Sequence, residues 1–170
     1  AGAALQGRMM QASLKAGAEL RVNSAVKELI VEDGKVVGVV TEKDGKAHRV
    51  CARLGVLVNA GGFALNQAMR DQYMPGSSIG HTSVAEGDTG EMIQEMMRHG
   101  AWMAHMDEFV GNQMALPPTD SDPAGMQGQL AKPHAFLVDQ SGVRYMNEGG
   151  SYMLFCQGQL ERHAQLVGHD

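Results

Sequence analysis

The chain has 170 residues, 44% of them hydrophobic and 19% charged, a balance that supports a packed core and excludes wholesale disorder. Its formal net charge of −5, with no run of Lys or Arg, argues against nucleic-acid binding, which depends on neutralising phosphates. No apolar stretch is long enough to span a bilayer, and the first residues lack the apolar region of a signal peptide.

With 13 Met, 22 Gly and only 5% aromatic residues, the expected core is aliphatic and thioether-rich, with many sharp turns. Cys51 and Cys156 lie far apart in sequence. They suit free thiols in a reducing compartment, the cytoplasm, with a single disulfide as the alternative. Neither sits at a metal-ligand spacing, so no zinc site is expected.

In chain order, Leu5 to Lys15 places Leu5, Met9, Met10, Ala12 and Leu14 mostly on one face, predicting an amphipathic helix ended by Gly17. Glu19 to Val22 is expected as a short strand and Asn23-Ser24 as a turn. From Ala25 the pattern is that of strands, over 26–31, 36–42 and 47–51. Glu32-Asp33-Gly34-Lys35 and Lys43-Asp44-Gly45-Lys46 carry hairpin-turn chemistry between them. A three-stranded antiparallel meander follows, with strands short enough to suit a flap on a larger sheet. Val56-Leu57-Val58 is expected as a buried strand, running into Asn59-Ala60-Gly61-Gly62-Phe63. Paired glycines let the main chain turn sharply and meet a ligand closely, while an ordinary strand-to-helix turn is the alternative.

Leu65 to Tyr73 is predicted as a helix with Asn66 as an early cap and Pro75-Gly76 as its stop. A polar segment from Ser77 to Asp88 leads to Thr89-Gly90 and a helix over 91–99. Met92, Ile93, Met96 and Met97 lie on its apolar side, and Asp88 and Glu91 near the positive end of its dipole. Ala101 to Ala104 begins a strand or extends the packed region. Pro117 to Gly128 has loop composition. Ala135 to Asp139 and Val143 to Met146 pair as a hairpin about Ser141-Gly142, and Ser151 to His163 is helix-like.

The succession of Gly17-Ala18-Glu19-Leu20, the meander, Ala60-Gly61-Gly62-Phe63, Gly87-Asp88-Thr89-Gly90 and Arg144-Tyr145-Met146-Asn147-Glu148 resembles a known family. It is that of the FAD-dependent succinate dehydrogenase/fumarate reductase flavoproteins, which includes the 3-ketosteroid dehydrogenases, and the resemblance covers nearly the whole chain. It implies an α+β chain from an α/β parent. Residues 1–62 would form part of an FAD-binding domain with the meander, and 63–170 a mixed α+β cap that closes over flavin and substrate. The family's N-terminal strand and G-x-G-x-x-G turn, which hold the FAD pyrophosphate, have no match here. The chain therefore reads as an internal fragment, expected not to hold FAD tightly by itself.

The resemblance also implies roles for single residues. Val26 matches a position where the main chain meets the adenine end of FAD. Ala60, Gly61 and Gly62 match a turn that passes close to the cofactor. Thr89, Gly90 and Glu91 match a T-G-D step whose acid contacts the flavin nucleotide. Here Glu91 stands where Asp is usual and Met92 where Gly is common, so Glu91 equally suits a first-turn helix acid. Asn147 and Glu148 match an R-F-x-N-E step at the substrate entry.

Fumarate reductases follow that step with an Arg that holds a dicarboxylate. This chain has Gly149-Gly150-Ser151-Tyr152, and a Tyr in such a place is a ketosteroid-dehydrogenase trait. A phenol can remove or return a proton beside a carbonyl, which makes Tyr152 the catalytic candidate, with a packed helix-face Tyr as the alternative. The His-Pro-Thr step of fumarate reductases is missing near Met106. His105 is expected at a surface or strand end, and His81 in a solvated loop, with a place facing the flavin as the alternative. Met103, Met106 and Met114 suit an apolar lining, with plain core as the alternative. The function implied is an FAD-dependent oxidoreductase acting on a carbon–carbon bond next to a carbonyl, with a small apolar enone or ketone as substrate. A dicarboxylate enzyme and a cofactor-free folded fragment with a binding role are the alternatives. No motif names an electron acceptor.

Overall fold

In the computed structural model, which describes residues 2–77, 79–82, 84–115 and 124–167, the chain divides into two compact units, Ala1–Val58 and Asn59–Asp170. The first unit begins with α1 (Gly2–Lys15). Gly17 closes it at φ 89°, its N–H donating to the Leu14 carbonyl while the Ala18 N–H reaches back to Ser13. That pair of bonds, with a left-handed glycine, satisfies the last carbonyls of the helix. No residue of α1 is buried, and Leu5, Met9, Met10 and Leu14 are all exposed along the predicted apolar stripe.

The meander forms as expected from β1 (Ala25–Glu32), β2 (Lys35–Lys43) and β3 (Lys46–Cys51), antiparallel in the order β1-β2-β3. At both turns the two central residues have positive φ: 49° and 72° at Asp33 and Gly34, 52° and 71° at Asp44 and Gly45. This geometry matches the right-handed twist of the flanking strands. Gly38 sits at the middle of the sheet, opposite Ile30 and Cys51, and a Cβ there would run into the Val50 carbonyl. Only Leu29, Ile30 and Thr41 of the strands' side chains are buried, a sparse core.

Two expected strands are absent. Residues 19–22 form no ladder, and the Arg21 guanidinium instead forks onto the Glu19 carboxylate at 2.8 and 3.2 Å. Residues 56–58 are irregular too, and Leu57 is 92% exposed. A strand exists only through hydrogen bonds to a neighbour, and the described residues supply none at either place.

In the second unit, α2 (Gln67–Tyr73) starts at Asn66, whose Oδ1 accepts from the Met69 N–H at 3.1 Å. A 3-10 turn spans Ile79–His81. Next, α3 (Glu91–Arg98) buries Met92 and Glu95. The inward face thus includes a carboxylate, which holds Arg98 at 2.8 Å and His99 at 3.2 Å, while Met97 is 37% exposed. Residues 101–104 form no strand, and Trp102 is 91% exposed.

The segment expected as a loop over 117–128 is partly ordered into elements. Residues 116–123 lie outside the described ones, but β4 (Met114–Ala115) pairs with β5 (Ala124–Gly125), and α4 (Gln127–Leu130) buries Leu130. The hairpin over 135–146 is reduced to one bridge, Val138 with Arg144. Its turn is organised by the Asp139 carboxylate, which accepts from the Ser141 and Val143 N–H groups at 2.9 and 3.0 Å. Finally α5 (Tyr152–Val167) buries Phe155 and Cys156. Both cysteines are free thiols, Cys51 exposed and Cys156 buried. Helices and an antiparallel sheet in one chain give the mixed α and β content expected. Among the described residues no helix is long and apolar enough to cross a membrane.

Candidate functional site

The two glycine-containing motifs of the second unit form one knot. Gly61 adopts φ 77°, turning the chain so that the Gly62 N–H donates to Asp88 Oδ1 in a short hydrogen bond. The Asp88 carbonyl accepts from the Leu65 N–H at 2.9 Å. Asn66 works in both directions: its Oδ1 caps α2 while its Nδ2 donates to the Thr89 carbonyl at 2.9 Å. Gly90, at φ 78°, lets α3 begin against α2, where a Cβ would lie 2.7 Å from Met69 Sδ and 2.8 Å from Phe63 Cβ. The Phe63 and Tyr73 rings stack at a tilt, 5.9 Å between centroids.

Glycine is required at Gly61 for a reason that lies inside the chain. An added Cβ would stand 2.6 Å from Asp88 Oδ1, on top of the strain of a positive φ. The other side of the turn faces outward, since Asn59, Ala60 and Gly61 are exposed and Gly62 is half-buried. Thr89 is half-buried with its hydroxyl donating to Glu91, and Glu91 is exposed in the first turn of α3. Asp88 was expected to serve the dipole of α3; its carboxylate instead points back to Gly62. Asp88 is the residue that sequence reasoning undervalued. Its signal is its place between Gly87 and Thr89-Gly90.

The remaining candidates lie elsewhere. Val26 belongs to the first unit, opposite Thr41 beside a bulge in β1, and is 38% exposed. Asn147 Oδ1 accepts from the Gly149 N–H at 3.0 Å, bending the chain towards α5. The Glu148 carboxylate, 6% exposed, takes the fork of Arg144 and the Leu137 N–H at 2.8 Å. The Arg144 bonds, and then the amide of Leu137, pull its carboxyl down to about 2. Tyr152 opens α5, but its side chain lies outside the described ones, as does that of His81. His105 is exposed and bonded to Glu108 at 3.1 Å, and Met103, Met106 and Met114 are half-buried.

A second undervalued pair is Asp139 with Arg162, which ties the 138–144 turn to α5. The Ser141 hydroxyl and then Arg162 hold the Asp139 carboxyl well below the usual range. A cleft of 320 Å³ is lined by Arg144, Tyr145 and Arg162, among others. Both its arginines already hold carboxylates, so it offers little free positive charge. Among the described residues no cluster of His, Cys, Asp and Glu could hold a metal ion.

Sequence comparison decides what this knot belongs to. The profile of the FAD binding domain family matches residues 1–170. The chain belongs to that family. The 3-oxosteroid 1-dehydrogenase of Mycobacterium tuberculosis (strain ATCC 25618 / H37Rv) is 30% identical over 161 residues, 91% of this chain and 28% of that protein. The crystal structure of 3-ketosteroid delta1-dehydrogenase from Sterolibacterium denitrificans, in complex with 1,4-androstadiene-3,17-dione, superposes with a TM-score of 0.82. Identity to it is 29%, and the match covers 91% of this chain and 28% of that one. The open conformation of a flavocytochrome c3 fumarate reductase shares the fold, with a TM-score of 0.60 at 22% identity over 94% of this chain and 31% of that one. The chain thus spans under a third of the length of each of these proteins.

FAD is the cofactor that membership of the FAD binding domain family assigns. The residues of the knot fit one side of it. Exposed main chain at Ala60 and Gly61 allows close approach of a flat ring or a sugar chain, since no side chain larger than methyl intervenes. The exposed Glu91 carboxylate suits hydroxyl donors such as a ribityl chain carries, while that of Asp88 is taken by the Gly62 N–H, and both would repel a diphosphate. The knot therefore fits the flavin and ribityl side, and not the pyrophosphate.

Proposed function

We propose that the protein is a flavin-dependent oxidoreductase acting on a carbon–carbon bond next to a carbonyl, on an apolar enone or ketone of the 3-ketosteroid kind. The observation that carries this reading is the Gly61-Gly62 turn, held on its inner side by Asp88 and exposed on its outer side, in a chain matched throughout by the FAD binding domain family. The likeness to 3-oxosteroid dehydrogenases over nine-tenths of the chain supports the choice of substrate. Residues 1–62 would belong to the FAD domain and 63–170 to the cap, a division four residues beyond the boundary between the two compact units.

When bound, FAD supplies the two-electron exchange with the substrate. Ala60 and Gly61 offer main chain to the flavin, Thr89, Gly90 and Glu91 face its ribityl side, and Val26 meets the adenine end. Tyr152 takes the proton from the carbon beside the carbonyl, or returns it in the reverse direction. The bend at Asn147 and the Glu148–Arg144 pair lie just before α5, at whose start Tyr152 stands. A dicarboxylate substrate is disfavoured because Gly149 and Gly150 stand where a binding Arg is needed, whereas the half-buried Met103, Met106 and Met114 suit apolar rings. The free thiols fit a cytoplasmic setting.

The test is turnover of a 3-ketosteroid with an artificial electron acceptor by the full-length, FAD-loaded protein. Tyr152→Phe is expected to slow it by roughly 10²–10⁴-fold, the usual worth of a positioned acid–base group, with flavin content unchanged. Undiminished turnover removes Tyr152 from the mechanism, and absence of turnover by the unaltered protein removes the substrate class. The 170-residue chain by itself is expected to be colourless, because no diphosphate-binding turn occurs in its sequence.

A further inference from the structure

The hydrogen bond between Asp88 and Gly62 spans 26 positions and joins the glycine turn to the start of α3. Two further bonds brace the same join, Leu65 N–H to the Asp88 carbonyl and Asn66 Nδ2 to the Thr89 carbonyl, while Asn66 Oδ1 accepts from the Met69 N–H at the start of α2. Asp88 is therefore held from both sides, its main chain by Leu65 and its side chain against Gly62. The carboxylate also occupies the space beside Gly61, 2.6 Å from where a Cβ would stand. With Gly62 N–H committed inward, the turn presents Asn59, Ala60 and Gly61 to the outside.

We propose that Asp88 is a positioning residue for FAD: by binding the Gly62 N–H it fixes the left-handed turn at Gly61 whose exposed main chain forms one wall of the flavin site. This rests on the flavin reading given above. A carboxylate suits the task because a charge-assisted bond to an amide is stronger than a neutral one. The role acts through Gly61 and Gly62, and Asp88 itself touches no reacting atom.

The inference predicts a pattern of FAD dissociation constants, measured by flavin fluorescence quenching on the full-length apoprotein. Asp88→Ala frees the turn and should weaken FAD binding by about tenfold or more, the scale of one lost charge-assisted hydrogen bond. Asp88→Asn keeps an Oδ1 acceptor for the Gly62 N–H, though without the charge, and should recover part of that loss. Gly61→Ala should weaken binding in the unaltered background. Combined with Asp88→Ala it should cost less than the product of the two single effects, because the collision partner is gone. A purely structural Asp88 lowers the melting temperature and leaves the dissociation constant of the folded protein unchanged, and that result overturns the inference while leaving the flavin reading intact. Equal losses for Asp88→Ala and Asp88→Asn also overturn it. If the unaltered full-length protein takes up no FAD at all, the flavin reading falls, and this inference with it.

Discussion

Gly90→Ala should destabilise the second unit far more than Gly100→Ala, although both glycines flank the same helix and have nearly the same conformation. Their φ angles are 78° and 81°. Each substitution forces a Cβ into the left-handed region, at a cost of roughly 1–2 kcal/mol. For Gly100 nothing lies within 4 Å of the new methyl, so that strain is the whole effect. For Gly90 the methyl would meet Met69 Sδ at 2.7 Å and Phe63 Cβ at 2.8 Å. The Met69 side chain can give way, but Phe63 Cβ is one bond from the backbone and cannot move without it. Overpacking of this sort adds roughly 1–3 kcal/mol. The expected totals are therefore about 2–5 kcal/mol at Gly90 and about 1–2 kcal/mol at Gly100.

Urea unfolding followed by helical circular dichroism reads the difference. With a slope of about 2 kcal/mol per molar urea, Gly90→Ala should lower the midpoint by about 1–2.5 M and Gly100→Ala by less than about 1 M. Gly90→Asn separates the two causes, because Asn tolerates the left-handed region but carries a larger side chain. It should be no milder than Gly90→Ala. Equal shifts at Gly90 and Gly100, or a rescue by Asn, would falsify the claim that α2 and α3 are in contact at this point.

Acid unfolding tests the Arg144–Glu148 pair. The Glu148 carboxyl is drawn from its ordinary 4.5 down to about 2, first by Arg144 and then by the Leu137 N–H. A depressed value means that its stabilising effect is complete above the ordinary value and fades as pH falls towards 2. Glu148→Gln should thus be less stable than the unaltered chain at pH 7, with the gap closing as pH drops through that window; a gap of constant size speaks against the pair. Asn66→Ala removes both the α2 cap and the bond to the Thr89 carbonyl, and should cost about 1 kcal/mol or more. A change within error in its urea midpoint would show that Asn66 does not brace the knot. Ellman's reagent should modify Cys51 quickly in native protein. Cys156, buried and with its thiol pushed up by that burial, should react only on unfolding. Two fast-reacting thiols would contradict the packing of α5.

What was legible in the sequence followed local chemistry. Asp-Gly pairs demanded hairpin turns, and β2 and β3 pair throughout in the register their turn dictates, whereas β1 and β2 leave theirs at Ile30 and regain it at Val26. Asn66 was readable as a cap because its acceptor serves an N–H three residues on, and Gly17 as a stop because a left-handed residue closes a helix. Strand formation at 19–22 and 56–58 was not legible in the same way. Glu19-Leu20-Arg21-Val22 and Val56-Leu57-Val58 have the composition of strands, but composition supplies no hydrogen-bonding neighbour. Burial of Glu95 was hidden for a related reason. Its partners Arg98 and His99 lie at i+3 and i+4, a spacing that equally describes a solvated helix face.

The glycine turn shows where the two kinds of information meet. From sequence, Gly61-Gly62 suggests either a tight turn or close approach of a ligand, and nothing local chooses between them. The structure divides the question by side. On the inner side the space is taken by Asp88, so glycine is required there whether or not a ligand ever binds. On the outer side Ala60 and Gly61 are exposed, and only there can a cofactor act as the reason for small residues. A substitution at Gly61 therefore mixes an internal collision with any loss of ligand contact, whereas Ala60→Val disturbs the outer side alone. If the flavin lies against this wall, Ala60→Val should weaken FAD binding to the full-length protein severalfold while its melting temperature stays within about 2 °C, the range of an exposed substitution. Unchanged FAD affinity in Ala60→Val would place the flavin elsewhere and leave the turn explained by Asp88 alone.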